Sequence, residues 1–401
     1  MARSLLRHPP FAFLLSSRVL ANMGFQMVGV AVGWQLYSLT GSALDLGLVG
    51  LAQFVPMILL TLVVGQVADR CDRRLVVTVC EGVKAAAAAT LAIGTIGGWQ
   101  SKASLLAVVA ILGAAQAFEN PAMTALVPGV VTRPLIAPAM AWVISAGQTA
   151  QIAGPALGGF LYALGPGAAY FTSAALFALS GALATVIRAE RTARPREPIT
   201  IATVFSGVAF IQSRRVLLGT MSLDLFAVLL GGATALLPVY ARDILHTGPG
   251  GLGLLRSAPA VGALATSVFL ARHPLERRIG STLFRSVIVF GAATAVFGVS
   301  TNFTLSLVAL SVLGAADVVS MVIRSSLAQI RTPDAMRGRV SAVSSLFTGT
   351  SNQLGAFESG LAAALLGTVP AVLLGGLGTI AVAALWMALF PELRRLRTFE
   401  E

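Results

Sequence analysis

Two long apolar runs are separated by the turn Gly65-Gln66-Val67-Ala68-Asp69-Arg70-Cys71-Asp72-Arg73-Arg74. So basic a turn between two hydrophobic segments is difficult to accommodate in a water-soluble protein. It suits a loop between two membrane helices, because Arg and Lys near the ends of spans are retained on the cytoplasmic side. The turn therefore predicts a membrane hairpin with a short cytoplasmic loop.

The composition of the whole chain agrees with this interpretation. Of its 401 residues, 56% are hydrophobic and only 11% are charged, whereas soluble domains contain about 25% charged residues. Such a chain cannot cover its surface with polar groups, so lipid must cover it. The net charge of +12 raises the alternative of a nucleic-acid partner. We exclude it because most Lys and Arg lie in the termini and in alternate loops, as the positive-inside rule requires.

The apolar runs predict an all-α membrane protein with twelve transmembrane helices. Lipid offers no partner to an unpaired backbone group, so each span must be helical. An even number of spans places both termini in the cytoplasm. The predicted spans are residues 12–38, 44–67, 75–98, 104–127, 138–163, 168–187, 216–240, 249–271, 282–300, 303–328, 340–367 and 369–390.

The chain divides into two weakly repeated halves. The predicted domains are a six-helix bundle at 1–187, a cytoplasmic linker at 188–215 and a second six-helix bundle at 216–401. In the linker, Ile199 to Gln212 suits an amphipathic helix at the membrane surface. With an offset of 207, Thr40-Gly41 falls on Thr247-Gly248, and with an offset of 201, Gly113-Ala114-Ala115 falls on Gly314-Ala315-Ala316. Two pseudo-symmetric bundles are typical of secondary transporters.

The sequence lacks the motifs that are typical of enzyme active sites and metal sites. Cys71 and Cys80 have neither a disulfide pattern nor a metal-ligand spacing. All three histidines fall in predicted loops or tails, and no glycine-rich phosphate loop with a lysine occurs. We therefore expect no enzymatic activity, no metal and no cofactor, and we take a monomer as the default state.

Ionisable residues within spans are costly and indicate a functional site. Glu119, Asp224 and Glu358 have no opposite charge within one helical turn of their own sequence. Desolvation disfavours the charged form of a buried carboxyl group, so these three are candidates for proton coupling or substrate binding. Asp317 and Arg324 share one face of the tenth span, and either lock the bundle or line the transport pathway.

Other polar residues are candidates for the wall of a transport cavity. Arg18, Asn22 and Gln26 recur every fourth residue of the first span, and Gln116 and Asn120 lie in the fourth. Interhelical hydrogen bonding is the alternative role for such amides.

Three further groups have structural interpretations. Glu81 and Lys84 are spaced to pair on one helix face, and Arg256 has the position of a side chain that reaches the outer interface. In the fifth span, small residues and a proline predict close packing and a kink: Gly154, Pro155, Gly158 and Gly159.

The opening turn resembles the loop signature of the major facilitator superfamily, G-x-x-x-D-R-x-x-R-R. The matching residues are Gly65, Asp69, Arg70, Arg73 and Arg74. The resemblance implies a conformational switch, in which this loop stabilises one state by charge contacts across the bundle interface. A helix N-terminus favours an anion, which suggests that Asp69 faces the start of the eleventh span near Arg339 and Val340.

Other motifs narrow the resemblance. The fifth span is similar to the antiporter signature ending in G-P-x-x-G-G, although Ala141 and Ala150 replace two of its glycines, and the fourth span lacks the arginine common in drug antiporters. The stretches 124–128 and 331–340 resemble the branch that contains siderophore exporters. That branch implies export of a small organic molecule by proton antiport with alternating access, across the bacterial inner membrane. Drug efflux, nutrient import and uncoupled facilitation remain alternatives.

Overall fold

The computed structural model describes Leu5 and residues 8–187 and 201–399, which form helices and short turns. Six helices occupy the first half of the sequence. They are α1 (Pro9–Thr40), α2 (Ala43–Arg70), α3 (Arg73–Ile96), α4 (Lys102–Val130), α5 (Ile136–Leu164) and α6 (Pro166–Val186).

The second half of the sequence contains a second set of long helices, with a short helix before it and another after it. Its helices are α7 (Ile201–Ser213), α8 (Arg215–Leu230), α9 (Gly248–Arg272), α10 (Ile279–Val299), α11 (Phe303–Ile330), α12 (Asp334–Leu366), α13 (Thr368–Leu389) and α14 (Pro391–Arg395). Between α8 and α9 the chain continues through a 3₁₀ turn at Ala233–Leu236 and a π turn at Tyr240–Ile244.

Within the part of the chain that the structure describes, ten helical segments are long and apolar enough to cross a membrane. Two other helices, α5 and α12, are long enough at 29 and 33 residues. Amides and hydroxyls interrupt their apolar sequence, for example at Gln148 and Gln151 in α5 and at Asn352 and Gln353 in α12. The prediction of an all-α, multi-pass membrane protein is confirmed. The criterion of helix length and hydropathy does not confirm the predicted number of twelve spans.

Side-chain caps fix the start of several helices. Asp72 Oδ1 accepts a hydrogen bond from the backbone N of Arg74 at 2.9 Å and caps α3. Asn302 Oδ1 accepts one from the backbone N of Leu305 at 3.0 Å and caps α11. These bonds satisfy N–H groups that have no partner within the helix.

The two halves use the same helix pairs. In the first half, α1 packs on α5 and α6, and α3 packs on α4 and α6. In the second half, α8 packs on α12 and α13, and α10 packs on α11 and α13. This correspondence agrees with the predicted pseudo-symmetry.

The repeated glycines have equivalent environments. Gly41 and Gly248, related by the offset of 207, both lie in the left-handed region, at φ 61° and 69°, which glycine adopts without strain. A Cβ on Gly113 of α4 would lie 2.9 Å from the Cα of Gln53 in α2, and one on Gly314 of α11 would meet the carbonyl of Pro259 in α9. Small residues at these positions let the paired helices approach closely.

The chain forms two compact units, each of which takes a short segment from the other half of the sequence. Unit 1 is Met1–Gly41, Ala52–Pro198 and Thr247–Ser257, and unit 2 is Ser42–Leu51, Ile199–His246 and Ala258–Glu401. Within unit 1, the Ser257 hydroxyl of α9 donates to the carbonyl of Ile152 in α5 at 2.6 Å. Within unit 2, a Cβ on Gly360 of α12 would lie 2.6 Å from the Cα of Gly47 in α2.

Each unit has its own buried apolar core, and large apolar side chains also face outward. In unit 1, Phe11, Val77 and Met123 join α1, α3 and α4. In unit 2, Leu223, Phe284 and several other residues join α8, α10, α11, α13 and α14. Outward side chains such as Leu365, which is 75% exposed, suit contact with lipid.

The linker is helical over its second part. Residues 188–200 lie outside the described ranges, so the charged start of the predicted linker is not described. From Ile201, α7 packs on α12: a Cβ on Gly207 would lie 2.9 Å from the Val343 side chain and 3.0 Å from the carbonyl of Arg339. Its location at the membrane surface stays a prediction.

Candidate functional site: two buried charge clusters

The first cluster joins Glu81 and Lys84 of α3 to Glu119 of α4. The Lys84 ammonium donates a hydrogen bond to Glu119 at 2.5 Å and forms an ion pair with Glu81 at 2.7 Å. Their side chains are 0% exposed for Glu81 and Lys84 and 4% for Glu119. The predicted pairing of Glu81 with Lys84 is confirmed, and Lys84 binds a second carboxylate that the sequence did not assign to it.

Two other helices of unit 1 contribute to this α3–α4 cluster. The Lys84 ammonium lies 4.7 Å from the centre of the Phe177 ring of α6, at cation–π distance. Arg18 of α1 has a favourable electrostatic interaction with Glu119, and its Nη1 is buried without a hydrogen-bond partner among the described residues. With two cations and two carboxylates, the cluster is electrically neutral when all four groups are charged.

The expectation that Glu119 lacks a counter-charge is therefore wrong. Its partner lies on the neighbouring helix, 35 positions earlier in the sequence. The sequence around Glu119 does not reveal such a partner, because the packing of α3 against α4 places Lys84 beside the carboxylate.

The second cluster lies in unit 2 and comprises Asp224 of α8 with Asp317 and Arg324 of α11. Arg324 forms an ion pair with Asp224, whose side chain also accepts a hydrogen bond from Thr348 of α12. Both members of the pair are largely buried, at 8% exposure for Asp224 and 14% for Arg324. The expectation that Asp224 is unpaired is wrong for the same reason as for Glu119.

Asp317 is the carboxylate of this α8–α11 cluster that does not form the ion pair with Arg324. It interacts electrostatically with Arg324 and Asp224, but Arg324 pairs with Asp224 across the helices. One cation thus faces two carboxylates, and the cluster carries an excess negative charge when both are ionised.

Asp224 and Asp317 both line a small cavity. It measures about 10 Å³, and its other lining residues include Ser286, Phe290 and Ser320. This is roughly the room that one water molecule needs, and a water also needs several polar partners. The two carboxylates and two serines supply them.

The internal repeat shows why the two clusters differ. With the offset of 201 between α4 and α11, Glu119 corresponds to Ser320 and Gln116 to Asp317. Because α3 begins at Arg73 and α10 at Ile279, Lys84 corresponds to Phe290. The first half therefore holds a paired lysine and glutamate where the second half has an aromatic ring, a serine and the cavity.

The remaining polar candidates do not join either cluster. Gln116 Nε2 donates to Asn120 Oδ1 at 3.1 Å along α4, and Asn22 and Gln26 are half-buried on α1. Glu358 of α12 does not line the cavity, and the adjacent Ser359 hydroxyl lies 3.5 Å from its carboxylate. Their assignment to a transport cavity stays a prediction.

The loop between α2 and α3 is only partly described. The surroundings of Gly65 and the side chains of Asp69 and Arg70 lie outside what the structure describes. Arg73 Nη1 donates to the carbonyl of Ala125 in α4 at 3.0 Å, and Arg74 forms an ion pair with Asp72 at 2.9 Å. These contacts tie the start of α3 to its own unit, and the switch function stays a prediction.

The glycines of α5 face close neighbours. A Cβ on Gly154 would lie 2.8 Å from the Gln26 side chain, and one on Gly158 would lie 2.7 Å from the Cα of Met27. A Cβ on Gly159 would meet the carbonyl of Pro249 at the start of α9. With Pro155 inside the helix, α5 has the small surface that close packing on α1 and α9 requires.

Several contacts were not found from the sequence. Arg256 donates to the carbonyl of Gly29 in α1 at 2.6 Å, so it packs against a helix where we expected it at the outer interface. Ser286, Phe290 and Ser320 line the cavity without any sequence motif. For Ser320, the repeat offset of 201 provided a signal, because this residue occupies the position of Glu119. Within the described ranges, no group of three or more His, Cys, Asp or Glu residues can hold a metal ion.

A repeated set of membrane helices with buried ion pairs is typical of a multi-pass membrane transporter. The chain belongs to the transmembrane secretion effector family of the major facilitator superfamily, which matches residues 2–400. The predicted superfamily is thereby confirmed, and the protein is a transporter and not an enzyme.

Similar proteins include exporters of enterobactin. The enterobactin exporter EntS of Citrobacter koseri is 27% identical over 410 aligned residues, which cover 98% of this chain and 95% of that protein. EntS of Escherichia coli O139:H28 is 26% identical with the same coverage.

Solved structures of transporters share the fold. A bacterial homologue of the iron transporter ferroportin, in its inward-facing state, has a TM-score of 0.72 at 19% identity, covering 98% of this chain and 100% of that chain. The nucleoside transporter NupG has a TM-score of 0.68 at 15% identity, covering 94% of this chain and 99% of that chain.

Proposed function

We propose that this protein exports a small organic molecule of the siderophore type by proton antiport, with alternating access. The excess carboxylate of the α8–α11 cluster carries the proposal: Asp224 is paired with Arg324, and Asp317 lies beside a water-sized cavity. We assign the exchangeable proton to Asp317.

The charge balance of the two clusters supports this assignment. In the α3–α4 cluster, Lys84 contacts both carboxylates and Arg18 adds a second positive charge, so the cations equal the carboxylates in number. In the α8–α11 cluster, Arg324 is the cation for two carboxylates. A buried charge without a partner is costly, so binding one proton relieves the excess.

The environment of Asp317 also suits proton exchange. The cavity offers a place for a water molecule beside the carboxylate, and protons move through such waters. When Asp317 loses its proton, Arg324 is placed to interact with either aspartate. Arg324 therefore keeps a carboxylate partner whether Asp317 is protonated or ionised. Glu358 is a weaker candidate, because it is only half-buried and does not line the cavity.

The membrane gradient supplies the driving force. Moving one charge across the membrane yields about 2.3 kcal/mol per 100 mV, and a pH gradient adds to it. One proton per cycle is enough to accumulate substrate several-fold outside the cell. Alternating access requires bodies that move against each other, and the chain forms two compact units.

The direction of transport and the class of substrate come from the relatives. Proteins named enterobactin exporters align with 98% of this chain. We further propose that the protein is a monomer in a bacterial inner membrane, with both termini in the cytoplasm and no nucleic-acid partner, as the sequence predicts. The cavity-lining and loop residues keep their proposed functions in substrate binding and switching.

Secretion by a deletion strain tests the proposed substrate. We expect a strain without the gene to retain its chelator in the cell and release less into the medium, and the intact gene to restore release. Unchanged release by the deletion strain would overturn the siderophore assignment. Efflux of unrelated dyes in its place would favour drug efflux.

Counterflow in reconstituted vesicles separates antiport from facilitation and import. Labelled substrate exchanges for unlabelled substrate in all these mechanisms. Only an antiporter accumulates substrate in the compartment that is more acidic. Equal transport with and without an imposed pH gradient would exclude proton antiport.

A further inference from the structure

We propose that Thr348 of α12 is a positioning residue for proton coupling, because its hydrogen bond to Asp224 directs the exchangeable proton to Asp317. The Thr348 hydroxyl donates to the Asp224 carboxylate, which also forms the ion pair with Arg324. Asp224 therefore receives donors from two neighbouring helices, α11 and α12. Asp317 interacts electrostatically with Arg324 and lines the cavity. This assignment rests on the proton antiport proposed above, and it makes Thr348 the residue that distinguishes the two aspartates.

A hydrogen bond from a hydroxyl favours the ionised form of the carboxyl group that accepts it. Bonds to charged groups are stronger than bonds between neutral groups, and one such bond changes an equilibrium by roughly tenfold or more. Asp224 and Asp317 share one cation, Arg324, so a tenfold preference is enough to decide which of them binds the proton. Thr348 supplies an asymmetry that the shared arginine does not supply alone.

The helices that carry these groups are held together by other contacts. Trp386 Nε1 of α13 donates to the Ser222 hydroxyl of α8 at 2.9 Å, one half-turn before Asp224. On the other side of α8, a Cβ on Gly355 of α12 would lie 2.9 Å from the carbonyl of Val228. Loss of the hydroxyl at position 348 therefore removes one hydrogen bond and leaves the packing of α8 on α12 and α13 in place.

The charged groups that act on Asp224 come from one helix. They are Arg324 and Asp317 of α11. Of the other elements that pack on α8, α7 and α13 contain no ionisable residue. The remaining ionisable residues of α8, α10, α12 and α14 do not line the cavity: Arg215, Arg285, Asp334, Arg337, Arg339, Glu358, Glu392, Arg394 and Arg395. The proton balance of the cluster thus involves three ionisable groups, and Thr348 acts on it through Asp224.

Removing the hydroxyl has an effect of definite sign. The Thr348 hydrogen bond stabilises ionised Asp224 whether or not Asp317 carries a proton. Its loss leaves proton binding by Asp317 as it was, and it allows Asp224 to bind the proton as well. Because two carboxyl groups then compete for one proton, the cluster as a whole should take it up at higher pH.

Infrared difference spectroscopy of the purified full chain in detergent tests the function of Thr348. The C=O stretching band of a protonated carboxyl group is followed across a pH titration, with protons as the ligand. The band of the cluster is the one that Asp317→Asn removes in the same background. In Thr348→Val we expect the midpoint of this band to lie about one pH unit higher than in the unmodified protein, which corresponds to a tenfold change in proton affinity.

Three further variants separate the hydrogen bond from a general change in α12. Ser351→Ala is the matched control, because the Ser351 hydroxyl lies on the same helix and donates to the carbonyl of Phe347 at 2.7 Å. We expect it to leave the midpoint unchanged. Thr348→Ser retains the hydroxyl and should restore the midpoint of the unmodified protein. Thr348→Ala should repeat the shift of Thr348→Val with a smaller side chain.

The outcomes distinguish this function from the proposed antiport. An unchanged midpoint in Thr348→Val and Thr348→Ala would overturn the positioning function of Thr348 and leave Asp317 as the proton carrier. Equal shifts in Thr348→Ala and Ser351→Ala would show a general change in α12 and overturn the positioning function too. The absence of any band that Asp317→Asn removes would overturn the proton carrier, and with it the function of Thr348.

Discussion

Arg324 of α11 forms its ion pair with Asp224 of α8, and leaves Asp317, seven positions earlier on its own helix, without a hydrogen-bonded partner among the described residues. The sequence places Asp317 and Arg324 on one face and suggests that they act together. The structure shows Arg324 paired with Asp224 on the other helix. Asp317 has no such pair and lines the cavity, so we assign different functions to the two acids.

Replacing Asp317 with Asn should separate proton coupling from substrate binding. The variant keeps the size of the side chain and the Asp224–Arg324 pair, so it should fold and exchange substrate at near the normal rate. Accumulation against a gradient should fall to the level of empty vesicles. The comparison variant is Ser320→Ala, which removes one polar group from the same cavity and should lower uphill transport less than Asp317→Asn does. Full accumulation by Asp317→Asn would assign the proton to another residue.

Replacing Asp224 with Asn should affect stability more than Asp317→Asn does. It leaves Arg324 largely buried, with Asp317 as the remaining carboxylate of the cluster and without an ion pair in the observed arrangement. Removing one partner of a buried ion pair typically costs about 3–5 kcal/mol. Thermal unfolding of the purified protein should show a lower melting temperature for Asp224→Asn than for Asp317→Asn. The opposite order would show that Arg324 relies on Asp317.

Lys84→Met should destabilise unit 1, because it leaves two buried carboxylates without their shared cation. The expected loss is again about 3–5 kcal/mol. The quadruple variant Arg18→Met/Glu81→Gln/Lys84→Met/Glu119→Gln removes all four charges and should recover much of the melting temperature. If the quadruple variant retains uphill transport, the α3–α4 cluster is structural. Loss of proton coupling in a stable quadruple variant would move a coupling function to this cluster.

Gly158→Val should disturb the packing of α5 on α1. A Cβ at this position would lie 2.7 Å from the Cα of Met27, whereas Gly147 of the same helix has open space around it. We expect Gly158→Val to lower the melting temperature and the rate of counterflow, and Gly147→Val to change both only slightly. Equal effects of the two substitutions would point to helix propensity and not to the contact.

The sequence predicted the fold through composition and loop charges. Both signals are strong because lipid excludes polar residues from the spans and topology concentrates Arg in alternate loops. The repeat was also visible, since Thr40-Gly41 and Thr247-Gly248 serve the same turn. The number of spans was less secure, because α5 and α12 carry amides and hydroxyls within their apolar sequence.

The candidate site was only partly predictable. Glu119 and Asp224 were found as buried acids, because any acid within a span is conspicuous. Their partners were not found, since Lys84 and Arg324 reach them from other helices. The periodicity of a sequence shows which residues share a face of one helix. Whether Arg324 pairs with Asp224 or with Asp317 depends on how α8 packs against α11.

Proton movement in vesicles with an internal pH-sensitive dye tests proton coupling most directly. When a substrate gradient is imposed on the unmodified protein, we expect protons to move in the direction opposite to the substrate, and to stop when the substrate gradient is collapsed. Asp317→Asn should exchange substrate without moving protons. Uphill transport by the unmodified protein with no proton movement, or normal proton movement by Asp317→Asn, would contradict the proposed mechanism.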